Sequence, residues 1–260
     1  MTARLAALNL FVAALLGVAI LLSAAAGAAA APKVALQVVA LPIPGFPGTG
    51  DILGAAAAVQ VRVTISGTEY GGFPSPLTQM ALYAPVGFKV ATSGFAACAP
   101  AALEAGGAPA CPKRSRAGPV GEGLGVVSFG GERVDEKVSI QGFFAPGGGL
   151  TFNAEGRTPA SFQVLESAHW TTAGAPYGPE MIVDVPLVET VPGADDASIL
   201  SFKVTVGAAY RRGSRTISYL TLPERCPRGG APIRADLKFL SGEIVTVAYR
   251  QPCPRHARRG

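Results

Sequence analysis

The chain has 260 residues, with 22 Lys and Arg against 17 Asp and Glu, and only 15% of its side chains are charged while 49% are hydrophobic. That balance is too apolar for a disordered polypeptide, and 33 Gly and 22 Pro without a three-residue period exclude collagen. So many Gly and Pro also argue against long helices and suit short strands joined by tight turns.

Residues 1–31 read as a signal peptide. Arg4 supplies the positive start, Leu5 to Leu22 is almost wholly apolar, and Ser23 to Ala31 is a run of small residues with cleavage options such as Ala29-Ala30-Ala31. Pro32 follows, and neither a second apolar span nor a sorting pentapeptide is found later. The expectation is a secreted, extracellular protein that is released or held to the cell envelope non-covalently.

The remainder is expected to form one β domain over residues 32–254. The first strong signal is Val59 to Ile65, where every second residue is apolar and Gln60, Arg62 and Thr64 face water. The same alternation returns at Val183–Leu187, Leu200–Val206 and Val245–Tyr249. Weaker strands are predicted at Val34–Ala40, Leu77–Tyr83, Leu124–Phe129, Val138–Phe144, Ala160–Glu166 and Ile217–Leu222, and a hairpin at Leu237–Ile244. Breakers separate them at residues 42–45, 71–74, 146–149 and 192–196. Pro100–Ala105 is the single helical candidate, and Pro146–Gly149 is the place for a boundary if there are two lobes. Strands recurring without amphipathic helices predict an all-β protein of many short strands, an antiparallel β-sandwich of Ig-like or jelly-roll-like type.

Four cysteines, Cys98, Cys111, Cys226 and Cys253, in an exported chain predict disulfides. Of the three connectivities, Cys98–Cys111 and Cys226–Cys253 are favoured because each pair is local and brackets Pro-rich turn sequence. Zinc fits poorly, since neither pair has C-x-x-C spacing and only His169 and His256 are at hand. Around the first pair, Cys111-Pro112-Lys113-Arg114-Ser115-Arg116-Ala117-Gly118 resembles a C-P-x-x-S-x-x-G element of exported proteins from high-GC Gram-positive bacteria. Glu224-Arg225-Cys226-Pro227 and the terminal Cys253-Pro254 are similar to that group as well. The resemblance implies a secreted, disulfide-stapled β protein and supplies no catalytic residues; Pro119-Val120 departs from the group's usual pattern.

Catalytic motifs are sparse. The sequence has no G-x-S-x-G elbow, S-x-x-K, H-E-x-x-H or P-loop. Gly121-Glu122-Gly123-Leu124-Gly125 reads as a flexible turn. His169 beside Trp170 is a candidate cleft pair, and the basis of an alternative reading as a secreted hydrolase. Asp135-Glu136 and Asp195-Asp196 lack the Gly-spaced acidic loop of a calcium site, so no metal or cofactor is expected.

Charge is more informative. Residues 32–202 carry nine basic and 14 acidic side chains, a net of −5, whereas residues 203–260 carry 12 basic and three acidic, a net of +9. Arg211, Arg212 and Arg215 form one dense cluster. Arg255, Arg258 and Arg259 form another, on a basic tail over residues 255–260 that is expected to be disordered. These six arginines are the candidate contact for an anionic cell-wall polymer, glycan or lipid headgroup; export makes nucleic acid a poor partner. The sequence therefore predicts a non-enzymatic envelope-associated binding protein.

Overall fold

The computed structural model describes residues 31–159, 161–189 and 195–253. In chain order its strands are β1 (Lys33–Leu41), β2 (Ala58–Ser66), β3 (Leu77–Pro85), β4 (Lys89–Val90), β5 (Gly121–Phe129), β6 (Glu132–Phe144), β7 (Leu150–Gly156) and β8 (Phe162–Thr172). They continue with β9 (Tyr177–Asp184), β10 (Ser198–Val206), β11 (Ala209–Arg212), β12 (Arg215–Ser218), β13 (Leu220–Thr221), β14 (Ala231–Phe239) and β15 (Ile244–Gln251). One α-helix, α1 (Pro100–Gly106), lies between β4 and β5.

Eleven strands hydrogen-bond into one antiparallel sheet in the order β1-β2-β10-β5-β6-β7-β8-β9-β3-β14-β15. Its two edges return to each other, for the Val38 amide of β1 donates to the Tyr249 hydroxyl of β15 at 2.8 Å. The protein is thus all-β and antiparallel as expected, but the sheet is a nearly closed, barrel-like winding and not a clear two-layer sandwich. Alternation in sequence reports that a strand has one buried face. It does not report whether that face meets a second sheet or the far side of its own, and here the latter holds.

The inner face follows the predicted period. Val59, Val61, Val63 and Ile65 of β2 meet Phe202, Val204 and Val206 of β10, and Leu237 and Phe239 of β14 complete the wall from the other side. Gly121-Glu122-Gly123-Leu124-Gly125 is not a turn but the first half of β5, where Glu122 pairs with Lys203 of β10. Pro146–Gly149 joins the adjacent strands β6 and β7, whose register begins at Phe144 opposite Leu150, so it closes a hairpin within the sheet. The predicted strand at Val183–Leu187 stops at Asp184, because Pro186 has no N–H to continue the ladder.

A second, smaller core lies on the outer face. Cys98 and Cys111 are joined, as are Cys226 and Cys253. The first bridge clamps α1 onto β6 to β8, where Cys98, Leu103, Cys111 and the fully buried Phe143 pack together with Leu165 beside them. Pro100 occupies the first turn of the helix, which ends at Gly107, φ +62°, whose N–H returns to Leu103 O at 2.8 Å. Side-chain amides satisfy the polar groups under this cap: Gln163 Nε2 donates to Leu103 O at 3.0 Å and to Asn153 Oδ1 at 2.7 Å, and Asn153 Nδ2 donates to Glu155 Oε1 at 2.8 Å. The C-P-x-x-S-x-x-G element then has a mechanical reading. Ser115 is fully buried and its hydroxyl donates to Pro112 O at 2.6 Å, while a Cβ on Gly118 would run into the Thr205 carbonyl of β10.

Candidate functional site

Arg211, Arg212 and Arg215 stand on a separate two-stranded hairpin. β11 and β12 pair only with each other, in the register Ala209 to Ser218, Tyr210 to Ile217, Arg211 to Thr216 and Arg212 to Arg215. The alternation along a strand puts Arg212 and Arg215 side by side on one face and Arg211 on the other. All three are exposed, and none forms an ion pair among the described residues. A directly opposed pair of like charges destabilises a hairpin, so the arrangement is held by something other than local pairing.

What holds it is an aromatic root. Tyr210 meets Phe95 edge-on at 5.3 Å between ring centroids, and Phe95 in turn meets Phe144 at 4.6 Å and Tyr219 at 5.6 Å. Phe144 and Tyr219 close the cluster at 4.7 Å, and the Trp170 indole N–H donates to the Tyr219 hydroxyl at 2.7 Å. Burial pushes the Tyr219 phenol up to about 12, with the Trp170 bond acting against that shift. The base of the hairpin is therefore built into the core while its tip projects three guanidinium groups.

His169 and Trp170 do not share a cleft. Trp170 faces the interior, packed against the main core, whereas His169 is exposed on the outer face of β8 opposite Ile182 of β9. Among the described residues the His169 ring has no hydrogen-bond partner. Of the acidic pairs, Asp135 accepts from Arg133 at 2.8 Å on the surface and Glu136 turns inward and is buried. No group of three or more His, Cys, Asp or Glu side chains converges among the described residues. Arg255, Arg258 and Arg259 lie outside the described residues, as does residues 1–30 of the expected signal peptide.

The interior holds features that no sequence motif marks. Two apolar chambers, of about 130 and about 150 Å³, lie within the wound sheet and share Val61, Met181 and Val206 as their dividing wall. The first contains two carboxyls, Glu136 of β6 and Glu166 of β8. Burial raises the Glu166 carboxyl to about 7. The available signal was positional: Phe162, Val164 and Glu166 alternate within a predicted strand, which places a carboxyl on the face that its neighbours mark as buried.

On the outer face of β3, β14 and β15 a polar network is fully partnered. Asp236 accepts from Arg234 Nε at 2.9 Å and Nη2 at 2.6 Å, from Thr246 at 2.7 Å and from Tyr83 at 3.1 Å. Those bonds hold the Asp236 carboxyl below its ordinary value although burial pushes the other way, and burial followed by a Glu180 hydrogen bond raises Tyr83 to about 12. Such a network is a structural clasp between strands, since its donors and acceptors are consumed internally.

Fold and site together define a disulfide-stapled, antiparallel all-β protein whose wound sheet encloses apolar space and carries a cationic hairpin. Comparison with family models, curated proteins and solved structures finds no match for this chain.

Proposed function

We propose that this is an exported, non-enzymatic protein that attaches to an anionic polymer or surface of the cell envelope through the β11–β12 hairpin. The observation that carries this reading is the opposed Arg212–Arg215 pair, with Arg211 beside it, on a hairpin whose base is rooted in aromatic packing and whose charges have no carboxylate partner among the described residues. A polyanion supplies the missing counter-charge to all three at once, which a single surface carboxylate does not. Anionic cell-wall polymers, acidic glycans and lipid headgroups share that chemistry, and lipid surfaces contribute about 1 kcal/mol per juxtaposed Lys or Arg. Two disulfides suit an oxidising compartment, in keeping with the signal peptide expected at residues 1–31. Among the described residues, no helix is long and apolar enough to cross a membrane.

The test is co-sedimentation of the oxidised chain with purified cell wall and with anionic liposomes over a salt series. Retention at low salt that is lost as the Debye length shrinks below about 10 Å is the expected result. The triple variant Arg211→Gln, Arg212→Gln, Arg215→Gln is expected to lose most of that retention while keeping the wild-type melting profile. Equal retention of variant and wild type, or none at low salt on either surface, sinks the proposal.

A further inference from the structure

Four side chains in the wall of the first chamber carry polar groups: Glu136, Glu166, Ser198 and Ser201. Glu136 already has a partner, Glu166 is half-buried, and Ser201 is half-buried and also lines a groove on the outside of the sheet. Ser198, the first residue of β10, differs from all three. It is 1% exposed, and its hydroxyl has no hydrogen-bond partner among the described residues. A hydroxyl taken out of water without a partner is unfavourable, and whatever brings a complementary atom to it relieves that cost.

The space beside Ser198 is apolar and about 130 Å³, the scale of a cavity that takes a benzene-sized molecule. The second chamber, beyond the shared Met181, adds about 150 Å³, and a Met thioether is the side chain that yields most readily to a guest. Scaled from the benzene case, the two in line hold roughly ten non-hydrogen atoms. Because neighbouring strands are antiparallel, β5, β9 and β14 end where β10 and β15 begin. Four of the six exposed large apolar side chains among the described residues lie at that end: Phe129, Leu187, Leu240 and Ile244. Leu187 is also part of the chamber wall, in the segment Val185–Val188 that leaves β9. An apolar guest therefore meets apolar surface at the end where Ser198 sits, and apolar space beyond it.

We propose that the two chambers bind a neutral medium-chain lipid carrying one hydrogen-bonding oxygen, an aliphatic alcohol or ester, with that oxygen on the Ser198 hydroxyl and the chain running past Phe152 and Met181 into the second chamber. A Ser hydroxyl both donates and accepts, so it serves an ester carbonyl as donor and an alcohol in either sense. A bare hydrocarbon fills the space but leaves Ser198 unanswered. A fatty carboxylate brings an ionised acid into a wall that already holds Glu136 and Glu166, and is disfavoured. The hairpin's polyanion contact is a separate site on the outside of the sheet, and this proposal rests on no part of it.

A matched eight-carbon series tests this: 1-octanol, octane, octanoate and octylamine, each titrated into the oxidised chain. Two probes mark position, the Met181 methyl resonance by NMR and the fluorescence of Trp170, the chain's single Trp, which lines the second chamber. Octanol is expected to shift both probes and to bind at least about tenfold tighter than octanoate or octylamine, whose charges must leave water. Ser198→Ala removes an unpartnered hydroxyl and is expected to fold; it should weaken octanol by about three- to tenfold, the span of one net hydrogen bond, and leave octane unchanged. Wild-type octanol affinity in Ser198→Ala overturns the proposal, as does octanoate or octylamine binding as tightly as octanol. Octanol binding that leaves the Met181 methyl unmoved, or no octanol binding at all, overturns it too. Ala154→Leu, which fills the first chamber, is expected to weaken octanol and octane alike, and undiminished binding by a folded Ala154→Leu protein places the guest elsewhere and sinks the proposal.

Discussion

The wound sheet carries two additions of opposite character, the α1 cap and the β11–β12 hairpin. The cap is anchored by the buried Leu103, Cys98 and Cys111, bridged by Cys98–Cys111, and its polar groups are answered by Gln163 and Asn153. The hairpin is exposed at its tip and sets Arg212 against Arg215. Both attach to the body through neighbouring residues, since Phe95 lies just ahead of Cys98 in sequence and is also the ring that receives Tyr210. The difference teaches where this chain invests its interactions: the cap serves stability, whereas the hairpin keeps an unfavourable charge arrangement that stability alone would remove. Glu166 belongs with the hairpin in this respect, as a half-buried acid on an otherwise apolar face.

The comparison breaks first at the cap. Phe143 is fully buried between the sheet and the disulfide-bonded segment, so Phe143→Ala is expected to destabilise the protein by about 3–5 kcal/mol in a denaturant titration. A loss under ~1 kcal/mol would show that the cap is a loose cover and not a second core. Replacing Cys98 and Cys111 together by Ala follows, with an expected loss of about 3 kcal/mol from the unfolded-chain entropy of a loop with sequence separation 13. The Cys226–Cys253 bridge, with separation 27, closes a longer loop but ends on the exposed Cys253. Chain entropy alone ranks it slightly above the first bridge. If Cys98–Cys111 proves the more costly to remove, the extra comes from burial that its loss releases, and the contrast between a buried bridge and an exposed end is sharpened.

Glu166 gives the next effect, read through pH. Its folded value of about 7 lies above the ordinary 4.5, so the folded state holds the proton more tightly. Its contribution to stability is therefore fully present below about 4.5 and is lost as pH rises through about 7. Discounted for partial exposure, the loss amounts to about 2–3 kcal/mol between pH 4.5 and pH 8. Wild type is expected to be less stable at pH 8 than at pH 5 in parallel denaturant titrations, and Glu166→Gln to gain on it selectively at pH 8. Identical pH slopes for the two proteins would remove Glu166 from the set of costly groups.

Legibility in the sequence divides along the same physical line. Strands with one wet face, such as β2, β10 and β15, announce themselves by alternation, and so does the closing hairpin of β14 and β15. β7 carries the same alternation in Leu150-Thr151-Phe152-Asn153-Ala154-Glu155 and is nonetheless not among the predicted strands; its polar Thr151 and Asn153 are buried, so here alternation marks two faces of which neither is wet. The first half of β6 was hidden for another reason: Glu132 to Lys137 is dominated by charge, and its inward Glu136 looks like surface until the register is known. Winding of the sheet was not legible at all, since it depends on how β1 meets β15 and those strands lie at opposite ends of the chain. Of the site, the Arg cluster was visible as composition. The opposition of Arg212 to Arg215 required the turn, and the inward-facing position of Glu166 required the whole circuit of strands.

The smallest expected effect discriminates best. Arg212→Glu turns the like-charge pair with Arg215 into an opposite-charge pair at the same cross-strand position. Local physics predicts a modest gain in hairpin stability, about 0.2–1 kcal/mol, measurable as slower amide exchange in β11 and β12 at low salt and vanishing as salt rises. Retention on the anionic surface is expected to move the other way, falling by more than Arg212→Gln produces, because a charge is reversed and not only removed. A variant that is tighter as a hairpin yet poorer as an attachment places the two demands in opposition at one residue. A variant that loses both, or loses neither, shows instead that Arg212 and Arg215 are coupled to something within the fold, and returns the hairpin to the same class as the cap.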